Sequence, residues 1–171
     1  MAWEPKQSIL ISRAIATNLL TYFAANQVEA LAWANANAVP VLKPIAKISE
    51  SVANRANPVF PAIAFSDDND AVAYGDDILK AGYSVTFELM VQNKNADAAT
   101  TQARIYLAAF VSMIVNCPRD SLELNTGAVS GSAVLQTIET GFDPIQTNEM
   151  QNDFMQQFQI RAIYTLAAGS F

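Results

Sequence analysis

The chain has 171 residues, 51% of them apolar, which predicts a single domain built around one hydrophobic core. Charged residues make up only 15% of the chain, against about 25% in typical proteins, so the surface must consist largely of Asn, Gln, Ser, Thr and Ala. The formal net charge of -6, with ten scattered Lys and Arg residues, argues against a protein that binds duplex nucleic acid.

The first third of the chain predicts one helix and one strand. Apolar residues spaced by three and four predict an amphipathic helix over residues 8–32. Residues 40–57 contain two prolines, and we expect a long connection or a short helix there. Residues 59–65 alternate as a half-buried strand does, and Pro61, which cannot donate a ladder hydrogen bond, favours the edge of a sheet.

An acidic loop and a long strand are predicted next. Residues 66–82 form a polar segment that we expect to be exposed, and its five carboxylates are Asp67, Asp68, Asp70, Asp76 and Asp77. Residues 83–91 show the clearest alternation of apolar and polar side chains in the chain, which predicts a long strand.

The second half of the chain predicts a helix followed by two strands. Asp97 is a plausible N-cap for an Ala-rich helix that runs to about Asn116 and ends before Pro118. The β-branched segment 133–140 predicts a third strand, and residues 154–166 predict a long terminal strand. The element order is therefore α-β-β-α-β-β, which favours an α+β fold for residues 1–171, with a mostly antiparallel four-stranded sheet and the helices packed on one face.

The sequence lacks the patterns that most enzyme chemistry needs. The chain has no histidine, which excludes serine triads and histidine-based metal sites. Cys117 is the only cysteine, so no intrachain disulfide forms, and its position beside Pro118 at a helix end is typical of a structural thiol. No glycine motif that cradles phosphate occurs. We expect no enzymatic activity and no cofactor.

The acidic loop is the one segment that could suit a hard cation, because carboxylate oxygens bind calcium and magnesium. The spacing of an EF-hand fails, since the sequence after Asp68 lacks the glycine and the glutamate that such a loop requires. A solvated acidic loop is the favoured interpretation, and no metal is expected.

Three aromatic residues are candidates for an interface with other chains. Trp3 and Phe171 lie near the two ends of the sequence, and Trp33 follows the first predicted helix, where large aromatics can concentrate binding energy. The start of the chain lacks the pattern of a secretory signal. The apolar stretch 105–115 is too short to span a bilayer and predicts a core helix.

The arrangement of these segments resembles that of the tail terminator and related neck or tail-completion proteins of tailed bacteriophages. The resemblance covers most of the chain: the N-terminal helix, the strand at 59–63, the exposed loop, the strand at 83–91, the helix at 97–116 and the terminal strand that includes Phe158. Residues 35–58 depart from that pattern.

The resemblance implies a homo-oligomer, commonly a hexameric ring, that caps the tail tube and joins it to neck or connector proteins. It implies a location in the virion, with host cytoplasm as the site of assembly, and it supplies no catalytic residues. DNA would pass through the ring without being bound, and the acidic loop at 67–77 could face that channel.

Three alternatives stay open. Another neck connector or a minor capsid component could have the same fold. A cytoplasmic adaptor or ligand-binding module would share the composition but should be monomeric or dimeric and have a pocket. An enzyme that uses carboxylates and a metal is the third, and metal content after dialysis would distinguish it.

Overall fold

The computed structural model describes residues 7–37, 43–45, 47–49, 61–66, 82–125, 130–148 and 153–168. These residues form two α-helices, a short 3-10 helix and seven strands. In chain order these are α1 (Gln7–Asn37), β1 (Lys47–Ser49), β2 (Ala62–Ser66), β3 (Tyr83–Asn93), α2 (Ala96–Val115), the 3-10 helix (Arg119–Leu122), β4 (Glu123–Asn125), β5 (Ser130–Phe142), β6 (Gln146–Asn148) and β7 (Asp153–Ala168).

The strands form one sheet in the order β1-β2-β3-β7-β5-β4, with β6 also paired to β7. Only β1 and β2 run parallel, and every other pair in the described part of the sheet is antiparallel. The predicted α+β class is confirmed. The predicted count of four strands is wrong for the described residues, because three strands of three residues each were missed.

Strands β3 and β7 form the centre of the sheet. They pair along eleven residues of β3, from Tyr83 opposite Tyr164 to Asn93 opposite Phe154. Both sequences alternate apolar and polar side chains, so one face of this strand pair is apolar from Tyr83 to Leu89, and the buried Gln156 lies on the same face opposite Val91. The predicted strands at 83–91 and 154–166 are confirmed, and each is slightly longer than predicted.

The hydrophobic core lies between this apolar face and the helices. Phe110 of α2 is at its centre, with its ring centroid 3.9 Å from that of Phe23 in α1 and 5.3 Å from that of Phe87 in β3. Phe110 and Phe87 are fully buried. Strand β3 contributes Tyr83, Val85, Phe87, Leu89 and Val91 to this core, and β7 contributes Phe158, Ile160, Ala162, Tyr164 and Leu166.

Helix α2 begins at Ala96, and its N-cap is Asn95, two residues before the predicted N-cap Asp97. The Asn95 side-chain oxygen accepts a hydrogen bond from the backbone N–H of Ala98 at 3.0 Å. Asp97 lies in the first turn, where a carboxylate is favoured by the positive end of the helix dipole. The helix ends at Val115 with Asn116 as its C-cap, close to the predicted end at about Asn116.

Among the described helices, α2 also has the length and hydropathy of a membrane span. Core helices of water-soluble proteins meet the same criteria. Here α2 buries Tyr106, Phe110, Met113 and Ile114 in the hydrophobic core. This buried face of α2 packs against β3 and β7.

Two differences from the sequence prediction lie before β3. Helix α1 extends to Asn37, five residues beyond the predicted end. Within the segment predicted as a connection or short helix, residues 47–49 form β1, which pairs in parallel with β2. Because β1 lies outside β2, the prediction that Pro61 marks a sheet edge is wrong; Pro61 precedes the first paired residue of β2.

Strand β5 starts at Ser130, earlier than predicted, and continues to Phe142. Its pairing with β7 shifts register between Leu135 and Thr137, where Gln136 forms a bulge. The Gln136 amide donates to the Thr165 hydroxyl at 3.0 Å. Strand β6 then continues along the same side of β7, opposite residues 153–155.

Candidate assembly surface

The residues predicted for function lie outside the described part of the structure. The five aspartates of the acidic loop (Asp67, Asp68, Asp70, Asp76 and Asp77) are among them, as are Trp3 and Phe171. The backbone of Trp33 belongs to α1, but its side chain is not described. The candidate surface is therefore built from other residues.

Cys117 follows α2, where the sequence placed a structural thiol. Its side chain is half-buried, and its Sγ lies 3.8 Å from the carbonyl oxygen of Pro118. Burial raises the pKa of the Cys117 thiol to about 11, because a thiolate is poorly solvated there. At neutral pH the group is a protonated thiol, which is a weak nucleophile. Among the described residues no group of three or more acidic residues or cysteines could hold a metal ion.

Among the described residues, one side of β5 has no paired strand over most of its length. Its other side pairs with β7 from Gly131 to Phe142, whereas β4 covers the open side only at residues 130–132. We call residues 133–142 the β5 open edge; no described strand pairs with its outer side. Glu139 is the single charged residue in this segment. Unpaired backbone N–H and C=O groups along such an edge can pair with another chain.

Two large apolar side chains lie at the end of the β5 open edge. Phe142 is 45% exposed and Ile145 is 39% exposed, although both side chains are strongly apolar. Phe142 contacts the buried Phe158 ring, with the centroids 5.7 Å apart. We call Phe142 and Ile145 the apolar tip. Exposed apolar groups beside an unpaired strand are typical of a contact surface.

A buried glutamine fixes the chain between the two residues of the apolar tip. The Gln156 amide nitrogen donates to the carbonyl of Asp143 at 2.6 Å and to that of Gln157 at 3.2 Å. The Asp143 N–H in turn donates to the Gln157 carbonyl at 3.0 Å. Thr100 of α2 donates to the Gln156 side-chain oxygen at 3.5 Å. The apolar tip is therefore held by contacts that reach the core.

The face of the sheet opposite the core is polar around β7. Arg161 lies at its centre, donating from Nε to the Ser84 hydroxyl at 2.9 Å and lying 3.7 Å from a Glu139 carboxylate oxygen. Gln159 donates to Glu88 at 3.5 Å. The Arg161 and Glu139 side chains are 40% and 60% exposed, so their ion pair is screened by water and contributes little to stability.

The sequence pattern predicts neither the β5 open edge nor the apolar tip. Residues 141–144 indicate only the end of a strand. The available signal was the pair of large apolar residues on either side of Asp143 and Pro144, in a segment that is otherwise polar. Which side of β5 would be open depends on the neighbours of β7, and no local pattern encodes that choice.

Comparison with known proteins does not identify a family. No protein-family model matches the chain, and no curated protein is significantly similar to it. Function is therefore inferred from the β5 open edge and the apolar tip. Together they offer backbone hydrogen bonds and apolar side chains, which are suited to binding another protein chain.

Proposed function

We propose that the chain is a structural virion protein of the bacteriophage head-tail junction. In this role it forms a ring, hexameric by the resemblance, that terminates the tail tube and joins it to neck or connector proteins. It assembles in the host cytoplasm and then belongs to the virion. The observation that carries the proposal is the β5 open edge with its apolar tip, a surface suited to contacts between subunits.

The composition of this surface supports a role in assembly. The cores of protein interfaces are depleted in charged residues and enriched in aromatic ones. Over residues 133–142 the chain places one charge, Glu139, and ends in the exposed aromatic ring of Phe142. The polar face around Arg161 offers hydrogen-bonding groups that are partly exposed. Both features fit a subunit that contacts several neighbours.

The arrangement of elements supports the same role. The proposal takes the two helices and the strands β2, β3, β5 and β7 as the α-β-β-α-β-β frame that tail terminators share, with the helices on one face. Strands β1, β4 and β6 are additions of three residues each. No catalytic step is part of the proposal, and it requires no cofactor or metal.

The acidic loop has a separate part in the proposal. The five aspartates between residues 67 and 77 would face the channel, where negative charge repels the phosphate backbone and lets DNA slide. Replacing all five by lysine should slow DNA delivery from assembled particles without preventing ring formation. Normal delivery by particles that carry the reversed loop would show that the loop has no such role.

The first test is the solution mass of the purified chain, measured by light scattering over a range of concentrations. Large species are then examined by electron microscopy. A closed ring of several subunits supports the proposal. The chain is also mixed with phage tails that lack a terminator, because subunits can remain monomeric until they dock. A chain that neither forms rings nor binds tails contradicts the proposal.

If the chain were instead another neck connector or a minor capsid component, it would use similar contacts. Its location within the particle distinguishes these roles. Labelled chain should be found between the tail tube and the neck. Labelling confined to the capsid shell would contradict a role in tail termination while leaving a role in assembly.

A further inference from the structure

We infer that the β5 open edge joins two copies of this chain around a two-fold axis, with Thr140 of one copy directly opposite Thr140 of the other. The two β5 strands would run antiparallel and continue one sheet into the next. This contact uses the same edge that supports the proposed function, but it does not build the ring, which would need further contacts elsewhere on the chain. It closes after two copies, whereas a ring needs a contact that repeats by rotation.

The backbone of β5 has the orientation that this pairing requires. Asp143 donates its N–H to Gln157 across the β5–β7 ladder, which makes Asp143 one of the residues that direct their backbone groups toward β7. Directions alternate along an antiparallel strand. The N–H and C=O groups of Ile138, Thr140 and Phe142 therefore point toward the open side.

A two-fold axis at Thr140 uses all of these outward groups. Thr140 then exchanges two backbone hydrogen bonds with Thr140 of the second copy. Ile138 exchanges two backbone hydrogen bonds with Phe142 of the second copy, and Phe142 exchanges two with Ile138 of the second copy. These pairs contribute about six backbone hydrogen bonds in total. The backbone groups of the segment are complementary to themselves in this register.

The side chains fit the same register. Ile138 lies opposite Phe142 of the second copy. This contact covers the Phe142 ring, which is 45% exposed in the single chain. Thr140 lies opposite Thr140. Pairs of aromatic with β-branched residues, and of threonine with threonine, each stabilise antiparallel strands by about 0.2–1 kcal/mol. Glu139 lies opposite Gly141, so the two carboxylates do not face each other.

Neighbouring registers are less favourable for identifiable reasons. An axis at Glu139 would place the two carboxylates directly opposite, and like charges in that position are destabilising. An axis at Phe142 would pair Thr140 with Pro144, which has no N–H to donate. An axis at Ile138 would bring the bulge at Gln136 into the pair and break the alternation. The segment that can pair therefore lies between the bulge at Gln136 and Pro144.

A second copy is the occupant that these observations favour, because the segment is matched to itself in both length and register. Natural edge strands avoid pairing through lysine, proline, inward-pointing charges or bulges. Residues 137–142 lie beyond the bulge at Gln136 and contain no lysine and no proline. A two-strand contact is smaller than the roughly 1,200 Å² of a standard interface, so we expect a weak dimer.

Disulfide trapping tests the register directly. In a Cys117→Ser background, Thr140→Cys introduces one thiol at the two-fold axis. The two Cα atoms would then be about 5.5 Å apart, which a disulfide can span. Thr137→Cys is the matched control, because both threonines are exposed on the same strand. In the inferred register Thr137 and its copy are separated by six residues along the strand, about 20 Å.

Mild oxidation should convert Thr140→Cys to a covalent dimer at least about tenfold faster than Thr137→Cys. Reaction of both variants with a small thiol reagent shows that the two thiols are equally accessible. Equal rates of cross-linking in the two variants would overturn the inference, as would no cross-linking in either. Rings formed through other contacts do not affect this comparison of cross-linking rates. A negative cross-linking result therefore contradicts the dimer contact and leaves the proposed virion function untouched.

A second variant tests the contact without a disulfide. Thr140→Lys places two positive charges opposite each other and should abolish the dimer detected by sedimentation at high concentration. Thr101→Lys makes the same change at an exposed position of α2 and should leave the dimer unchanged. A dimer that persists in Thr140→Lys would contradict the inferred register.

Discussion

Replacing Phe110 with alanine should remove the centre of the hydrophobic core. The Phe110 side chain is fully buried and contacts the rings of Phe23 and Phe87, which belong to α1 and β3. Burial of a phenylalanine side chain contributes about 2–3 kcal/mol. A cavity left by the ring adds about 2 kcal/mol at about 24 cal/mol per Å³. We expect the free energy of unfolding to fall by about 4 kcal/mol.

Urea unfolding followed by circular dichroism measures this change. Phe142→Ala is the control with the same chemistry, because Phe142 is 45% exposed and contacts one ring. Loss of the Phe142 ring should lower the free energy of unfolding by about 1 kcal/mol. If Phe110→Ala costs less than about 2 kcal/mol, or no more than Phe142→Ala, then the three rings do not join the helices to the sheet as described.

Two further predictions concern buried polar groups. The Tyr106 hydroxyl donates to the Lys43 carbonyl, and burial raises the pKa of Tyr106 from 10.0 to about 12. Above pH 10.0 the unfolded tyrosine ionises first, so the stability that Tyr106 provides falls as pH rises. Tyr106→Phe should therefore lower the free energy of unfolding by about 1 kcal/mol at neutral pH and by less at about pH 12. Urea unfolding of both chains at the two pH values measures this, and a decrease that is the same at both would refute the prediction. Gln156→Leu leaves the Asp143 carbonyl without its amide partner and should cost about 2 kcal/mol, whereas Gln159→Leu on the exposed face should cost under about 0.5 kcal/mol. Equal costs in the urea midpoints of these two variants would contradict the role given to Gln156.

Most of the long elements could be predicted from the sequence. The alternation in β3 and β7 and the helical spacing in α2 are local patterns with strong periods, and the structure has a matching element in each place. The error at the start of α2 is also local. Asn95 and Asp97 are both residues that cap helices, and only the backbone conformation shows which of them does so.

The strands of three residues could not be predicted. Segments such as 47–49 and 146–148 are too short to show a period, and they become strands only because β2 and β7 offer them backbone partners. The same limit applies to Pro61. Its missing N–H indicates where a ladder bond is absent, but the position of β2 in the sheet depends on the pairing of β1.

Sequence alone determined that this chain would be an α+β protein with a low-charge surface and without histidine chemistry, because composition and local periodicity carry that information. Tertiary structure decided which strands became neighbours. In the order β3-β7-β5, no described strand covers the outer side of β5 over residues 133–142, and Gln156 fixes the apolar tip beside it. Those features arise from contacts between residues far apart in the chain, and no local pattern specifies them.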